Sequence, residues 1–531
     1  MEYYTAENMT LECLIEKNLQ RYPDKTAVLY QDQACSFRQL NDLSRRLADF
    51  FLEQGMEKGS RIAVLGENSM ELVLAFLAAG RIGAVSVMVN PKLTDPELLD
   101  LLEYSSLSGI CFLNEKKPFP RSYRQKHPKT AVWNKKQLRE ALTADGSCSA
   151  FESALKPRPE DILCMLFTSG TTGRPKGVLL EHGAVIQVAY ETVRMMEWTS
   201  EDTFCLGLPL FHVFGLSAGL LSAAAAGASV CLLQNGHSLQ LMETVERCRC
   251  TVLSGVPTMF LAMLRNPDFG QYDLSSLKSG VLAGSGITPA CYLEICRKLP
   301  FRNLSRSYGM TETSPSITFS PAADPAEKKA VSVGKAIPGV HISIRGCEGS
   351  TELPAGQEGE ICIRGFNVMR GYFRMERETQ AAYDQEGWFH TGDLGYLDTE
   401  GYLYVSGRLK DIIIRSGEKL SPGEIENVLL EYPPIQDAKV VGVANPVTQE
   451  EAAACLVAEP GTELKLEELE DYLSKRLAAY KIPRYYLLFQ KLPVNASGKT
   501  DGKQLKALLN DQYHKGLLRQ SVLQKVNSNL V

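Results

Sequence analysis

The sequence predicts an α/β protein: a large N-terminal domain of two α/β subdomains plus a small β-barrel-like subdomain, then a hinge and a small α+β C-terminal domain. Three observations predict it. Short β-rich runs alternate with helical periods as far as Ala322. From Ala330 to Gly407 the pattern changes to short strands between glycine turns. A charged stretch, Gly407-Arg-Leu-Lys-Asp411, then introduces a last compact segment. The chain has 531 residues, 44% apolar and 22% charged, enough for several domains with ordinary globular composition.

In chain order, Thr10 is placed to cap a helix whose Leu11, Leu14, Ile15 and Leu19 share one face, and Pro23 ends it. Strands are expected at Thr26–Tyr30, Arg61–Gly66, Ala84–Asn90 and Ser108–Asn114, with an apolar helix near Ser69–Gly80. Residues 115–160 are polar and read as a variable connection. The second α/β segment, from Asp161, has strand candidates at Ile162–Phe167, Ala228–Leu233, Cys250–Gly255 and Gly280–Gly284. Glycine-bounded strands follow at Gly339–Gly346, Gly359–Gly365 and Gly401–Ser406. The final segment reads as strand Asp411–Arg415, helix Ser421–Tyr432, strands Asp437–Ala444 and Ala452–Glu459, and a leucine-striped helix through Leu466, Leu469, Leu473 and Leu477. The expected domains are 1–408 and 409–515, with a flexible tail at 516–531.

Composition excludes several roles. A net charge of −5 leaves no basic footprint for nucleic acid or anionic lipid. Fourteen cysteines without a CxxC pair point to free thiols in a reducing cytosol, and the first residues lack the pattern of a secretory leader. Leu206–Leu233 carries no charged residue and is long enough to span a membrane, but Pro209, His212 and its glycines favour a buried strand, turn and helix.

The chemistry centres on Leu166-Phe-Thr-Ser-Gly-Thr-Thr-Gly-Arg-Pro-Lys-Gly177. Thr168, Ser169, Thr171 and Thr172 supply hydroxyl donors. Gly170, Gly173 and Gly177 let the backbone approach an anion, and Lys176 adds a point charge. This suits a polyphosphate, although Pro175 rules out the Walker pattern. Four more motifs follow: Ala283-Gly-Ser-Gly286, Ser307-Tyr-Gly-Met-Thr-Glu-Thr313, Thr391-Gly-Asp-Leu-Gly395 after Trp388-Phe-His390, and Leu492-Pro-Val-Asn-Ala-Ser-Gly-Lys-Thr500.

In this order the five motifs resemble those of the adenylate-forming superfamily: acyl-CoA synthetases, peptide-synthetase adenylation domains and beetle luciferases. The resemblance implies the following roles. Thr168 to Gly173 with Lys176 bind the ATP phosphates. Gly284, Ser285 and Gly286 line the adenine and acyl pockets. Tyr308 beside Gly309 packs on adenine, Thr311 contacts the α-phosphate and Glu312 holds Mg²⁺. Asp393 takes the ribose hydroxyls, with Arg408 a second ribose and phosphate contact. Lys499 bridges the carboxylate and the α-phosphate, although Thr500-Asp501 stands where the family often has arginine. Lys410 sits at the interdomain hinge and Gly417 at the tunnel for the thiol.

Pro209-Leu-Phe-His-Val-Phe-Gly-Leu216 resembles the carboxylate-CoA ligase branch, in which His212 guards the carboxylate pocket and Phe214 and Val256 line it. Amino-acid-activating relatives place an aspartate in this region, whereas Gly207 through Met242 contains no acidic residue. The resemblance thus implies an ATP- and Mg²⁺-dependent ligase joining a fatty or aryl acid to coenzyme A. The alternative acceptor is the phosphopantetheine of a carrier protein in a biosynthetic assembly.

Overall fold

The computed structural model describes residues 9–143, 149–168, 175–346, 351–494 and 500–526. Two large sheets lie side by side in the N-terminal domain. The first runs, edge to edge, through Gly371–Tyr372, Lys176–Glu181, Ile162–Thr168, Val85–Val89, Arg61–Leu65, Gly109–Phe112 and Ala131–Asn134. From Ile162–Thr168 outward to Ala131–Asn134 its pairings are parallel. The second sheet has nine strands, parallel at its centre and antiparallel at both edges; its inner strands include Asn303–Tyr308, Ser279–Leu282, Thr203–Leu206 and Ser229–Leu232.

Two strands belong elsewhere than their sequence neighbours suggest. Thr26–Tyr30 pairs in parallel with Ser229–Leu232 in the second sheet, with Val28 opposite Val230. Ile162–Thr168, expected to open the second segment, lies in the first sheet beside Val85–Val89, with Met165 opposite Val87. The 115–160 connection is also more ordered than its polarity indicates. It holds the edge strand Ala131–Asn134 and the helices Arg121–Lys126 and Lys135–Thr143, anchored by buried Tyr123, Trp133 and Leu138.

Helix Met70–Arg81 lies between the sheets. Its N-cap Ser69 accepts a hydrogen bond from the Leu72 N–H, and every residue from Glu71 to Arg81 is buried. A helix apolar all round needs neighbours all round, and one core cluster accordingly joins Leu72–Ala79 to Leu166 of the first sheet and Val230 of the second. The Leu206–Leu233 stretch is a strand end, a wide π-helical segment Phe214–Leu221, a short helix and a strand inside this core. Among the described residues, no helix is long and apolar enough to cross a membrane.

The unit expected to be barrel-like is an open four-stranded antiparallel sheet in the order Val340–Arg345, Gly359–Gly365, Phe389–Leu397, Leu403–Arg408. Closure requires the outer strands to pair with each other, and Val340–Arg345 and Leu403–Arg408 are both edges. The one-turn 3₁₀ segment Leu409–Asp411 leads from this sheet into the C-terminal sheet, which starts at Ile413–Arg415. There Gln449–Ala458 is central, paired with Ile435–Asn445 and Tyr485–Phe489. Helices Pro422–Leu430 and Leu466–Ser474 cover one face and helix Gly502–His514 the other. Leu469, Leu473 and Leu477 are buried as the stripe required. Within the 516–531 tail, expected to be flexible, Leu523–Lys525 pairs in parallel with Tyr486–Leu488.

Arg81 ends the central helix with 2% of its surface exposed. Its Nη2 donates to Glu12 Oε1 at 2.9 Å while its Nε lies 2.7 Å from Glu12 Oε2, and its Nη1 donates to Ser44 Oγ at 2.8 Å and Asn41 O at 3.0 Å. This fork ties together helices Leu11–Arg21, Phe37–Glu53 and Met70–Arg81. Arg81→Ala strands a buried carboxylate and is expected to cost about 3–5 kcal/mol, read as a lower urea midpoint of the first unfolding transition. The double variant Glu12→Gln/Arg81→Met, which removes both charges, is expected to regain part of that loss.

Candidate active site

Thr168, Gly284 and Tyr308 stand at or just past the carboxyl ends of strands from both large sheets, where open α/β sheets bind their ligands, and Asp393 lies on the small antiparallel sheet. Ile162–Thr168 and Lys176–Glu181 form a hairpin in which Thr168 faces Lys176 across the ladder. Both ends of the hydroxyl-rich loop are thus anchored; Ser169, Gly170, Thr171, Thr172 and Gly173 themselves lie outside the described residues. The same holds for Lys499, whose loop is bounded by the Val494–Thr500 bridge.

Lys176 places its ammonium 4.4 Å from the centroid of the Tyr372 ring. The Tyr372 hydroxyl donates to Glu312 Oε1 at 3.0 Å. Glu312 sits in a single 3₁₀ turn, Thr311–Thr313, and its backbone carbonyl accepts the Met369 N–H at 2.8 Å. The Met369 carbonyl in turn accepts from the Tyr383 hydroxyl at 2.9 Å. Burial raises the Glu312 carboxyl above its ordinary range, while the Tyr372 hydroxyl and the charges of Lys176 and Arg408 pull it back. Thr311, half-buried, precedes it.

Asp393 is the second buried carboxylate, 8% exposed. Its Oδ2 accepts from the Tyr308 hydroxyl at 2.8 Å, and its Oδ1 lies 3.1 Å from Arg408 Nε. Arg408 is its direct cross-strand partner, so the sheet register brings the pair together. The Asp393 N–H donates to Thr391 Oγ1 at 3.1 Å, and Glu360 Oε1 accepts the Gly392 N–H at 3.0 Å. Burial again raises the carboxyl, and Arg408, the Tyr308 hydroxyl and Lys410 oppose it. Two carboxylate oxygens keep acceptor capacity for ribose hydroxyls beyond these donors.

Gly309 follows Tyr308 where no side chain fits, because a Cβ there would lie 1.7 Å from the Pro315 carbonyl oxygen. Gly284 has a φ of +91°, and a Cβ on it would meet Val256 Cγ1 at 3.0 Å. Gly284, Ser285 and Gly286 are exposed at the end of strand Ser279–Leu282. His212 and Phe214 are half-buried, with the His212 ring 4.5 Å from that of Phe211. They lead into the π-helical segment, whose Ser217 hydroxyl donates to the Ser314 carbonyl at 2.9 Å and so ties the apolar side of the site to the turn after Glu312.

Lys410 lies in the connecting 3₁₀ turn; burial, Arg408 and Lys503 lower its amine pKa. Gly417, φ +87°, and Ser416, φ +51°, make the turn between Ile413–Arg415 and Glu418–Leu420. The sequence reading missed Tyr372, Tyr383, Glu360 and Ser217. Each acts through a partner remote in sequence, and nothing in its local pattern marks it.

The site as described is a hairpin that sets Thr168 opposite Lys176 beside two buried carboxylates, Glu312 and Asp393, each accepting from a tyrosine hydroxyl. The AMP-binding enzyme family model matches residues 15–373, and the model of that enzyme's C-terminal domain matches 424–499. YngI of Bacillus subtilis (strain 168), assigned as an acyl-CoA synthetase, is 34% identical, with 94% of this chain and 96% of that protein covered. The human mitochondrial medium-chain acyl-CoA ligase ACSF2 is 33% identical over 92% and 85%. Among solved structures, the Bacillus subtilis o-succinylbenzoate CoA synthetase MenE, in complex with its acyl-adenylate intermediate, is 31% identical with a TM-score of 0.81, covering 94% of this chain and 98% of that one. ATP-bound MatB from Rhodopseudomonas palustris is 27% identical with a TM-score of 0.88, covering 94% and 99%. The chain belongs to the AMP-binding enzyme family, within the adenylate-forming superfamily. It is an AMP-forming acid–CoA ligase that works through an acyl-adenylate.

The two tyrosine hydroxyls make a test. Tyr308→Phe removes a donor that favours the Asp393 anion, and Tyr372→Phe does the same at Glu312. Each is expected to lower kcat/KM for ATP about tenfold or more, the worth of a hydrogen bond to a charged group. Without the donor each carboxyl pKa rises further, so it protonates sooner as pH falls. The acid limb of the kcat/KM profile is therefore expected to move to higher pH in both variants. An unmoved limb in both would show that neither hydroxyl tunes its carboxylate.

Proposed function

We propose that this ligase activates an apolar acid, a medium-chain fatty or aryl carboxylate, with MgATP and transfers it to free coenzyme A. One observation carries the reading: the charged side chains gather on the nucleotide side, whereas Gly207 through Met242, which supplies His212 and Phe214, contains no Asp, Glu, Lys or Arg. An α-ammonium entering such a lining would lie unpaired in an apolar environment, at a cost of several kcal/mol. The names of relatives support the same class, medium-chain acyl-CoA ligase in human and 4-coumarate–CoA ligase in Narcissus pseudonarcissus, the latter 28% identical over 96% of this chain and 95% of that protein. CoA ligase names also favour free CoA over a carrier-bound pantetheine as the thiol.

In the reading we adopt, a carboxylate oxygen attacks the α-phosphorus, the bond to the bridging oxygen breaks and pyrophosphate leaves; the thiolate then attacks the acyl carbon and AMP leaves. Thr168, Lys176 and the hydroxyl loop hold the phosphates, and Asp393 with Arg408 holds the ribose. Tyr308 offers its ring face to adenine while its hydroxyl fixes Asp393. The Glu312 carboxylate is a hard oxygen donor that fits Mg²⁺ once phosphate oxygens complete its shell, that ion would neutralise charge on the phosphates, and the Thr311 hydroxyl contacts the α-phosphate. A MenE structure with ATP and magnesium, 31% identical and with a TM-score of 0.80 over 93% of this chain and 99% of that one, supports the assignment. His212 and Phe214, with Val256 beside Gly284, border the acid. Lys499 brings its charge to the carboxylate–phosphate junction. Domain rotation at Lys410 then exchanges Lys499 for the Gly417 turn in the thiol-transfer step.

ATP–pyrophosphate exchange across fatty, aryl and amino acids tests the substrate class. Exchange with medium-chain or aryl acids is expected, and exchange confined to amino acids would overturn it. The two half-reactions test the residues. Lys499→Ala is expected to lose about 10²–10³ in acyl-AMP formation yet still convert preformed acyl-AMP to acyl-CoA. Gly417→Leu is expected to do the reverse. Gly417→Ala shares the backbone strain of a side chain at positive φ, so a loss seen with leucine and much smaller with alanine assigns the effect to bulk in the thiol path. Loss of the same half-reaction in the Lys499 and Gly417 variants would remove the case for two working faces.

A further inference from the structure

We propose that Glu360, Cys362 and His390 form a binding site for a borderline-soft divalent cation, Zn²⁺ in type, beneath the nucleotide-binding turn. Glu360 and Cys362 alternate on strand Gly359–Gly365, so both point to one face of the open sheet. His390 is the direct cross-strand partner of Cys362. The three donor atoms all lie within 4.8 Å of one another. Cys362 Sγ is 3.6 Å from His390 Nδ1, and Glu360 Oε2 is 2.8 Å from the same nitrogen. A tetrahedral zinc with ordinary bond lengths sets its sulfur and nitrogen ligands about 3.5 Å apart, the spacing found here, and nitrogen and oxygen about 3.4 Å apart. The Glu360–His390 pair is closer than this, so the carboxylate draws back by about half an ångström.

The surroundings are those of a ligand set rather than of three packed side chains. Glu360 is held through its other oxygen by the Gly392 N–H, which leaves Oε2 directed at His390. The far nitrogen of the imidazole, Nε2, faces Asp384 Oδ2 at 3.7 Å, and Arg345 fixes Asp384 at 2.9 Å. A carboxylate behind a ligating histidine is the usual outer support of a metal site. Binding balances without redox change. Cys362 gives its proton to solvent, the imidazole proton moves from Nδ1 to Nε2 facing Asp384, and bonds form from Sγ, Nδ1 and Oε2 to the ion. Thiolate and carboxylate together cancel the two positive charges, so the complex is neutral where Cys362 is fully buried and Glu360 nearly so. A water completes the four. Sulfur and imidazole donors suit zinc and not magnesium, which separates this site from the phosphate-side dication at Glu312. The plainer alternative is a Glu–His hydrogen bond with a thiol packed against it.

The experiment uses the full-length protein with Co²⁺ as the optical probe. One equivalent of Co²⁺ is expected to give a thiolate-to-cobalt charge-transfer band that one equivalent of Zn²⁺ abolishes. Cys362→Ser is expected to remove the band, and His390→Gln to weaken Co²⁺ binding at least tenfold. Cys248→Ser, in the separate thiol group with Cys231 and Cys250, is expected to leave it unchanged. Thermal midpoints are read with and without Zn²⁺, so that any loss of stability in a variant cancels; Zn²⁺ is expected to raise the midpoint of the parent protein and not that of Cys362→Ser. Absence of the band in the parent, its survival in Cys362→Ser, or an equal rise with Zn²⁺ in both proteins overturns the proposal.

Discussion

Two carboxylates, Glu312 and Asp393, are buried where most of their water is excluded, and much of the surrounding architecture favours their charged form. A buried carboxylate prefers its neutral form unless donors and positive charges face it. Glu312 and Asp393 solve the problem alike, each with a tyrosine hydroxyl on one oxygen and cations nearby. The donors come from different sheets: Tyr372 and Lys176 from the first, Tyr308 from the second, Arg408 from the small antiparallel sheet. No single sheet could surround the two anions. The packing of three sheets against one another is what makes the pair of charges tolerable.

The same arrangement explains what could be read from the sequence. Glycine- and hydroxyl-rich turns carry their chemistry within a few residues, so the phosphate hairpin, Glu312 and Asp393 stood out locally. Helix Met70–Arg81 and the leucine stripe near Leu469 were visible because periodicity is local as well. Tyr372, Glu360 and Ser217 were not, since each is defined by a partner 60, 32 or 97 residues away. Strand membership failed for the same reason. A β-rich run announces that it is a strand but not which sheet it joins, and Thr26–Tyr30 and Ile162–Thr168 each joined a sheet other than the one their sequence neighbours suggest. The small antiparallel unit shows a further limit, because glycine turns predict hairpins while closure depends on whether the outermost strands meet.

The apolar and polar halves of the site are mechanically joined. The Ser217–Ser314 hydrogen bond leaves a buried π-helical segment and ends on the turn that follows Glu312. A π-helical stretch inserts an extra residue per turn and often marks a functional position. Here it begins at Phe214, which we propose borders the acid, and its Ser217 side chain carries the contact to the turn after Glu312. The proposed acid pocket and the turn that follows Glu312 therefore share a structural element.

The strand Thr26–Tyr30 has a consequence for synthesis. It finds its parallel partner only when Ser229–Leu232 has been made, about two hundred residues later. Lys25 is in the same position, since its ammonium donates to the Gly227 carbonyl at 2.6 Å, as is Asn18, whose amide donates to the Ala224 carbonyl at 2.8 Å. At elongation rates of roughly 5–20 residues per second, that wait is about 10–40 seconds, during which the strand is paired on one side with Gln33–Ser36 and its other edge stays open. Such exposed edges invite pairing with other chains. The nascent protein thus carries an open hairpin edge until its second sheet exists, a cost set by the position of one five-residue strand.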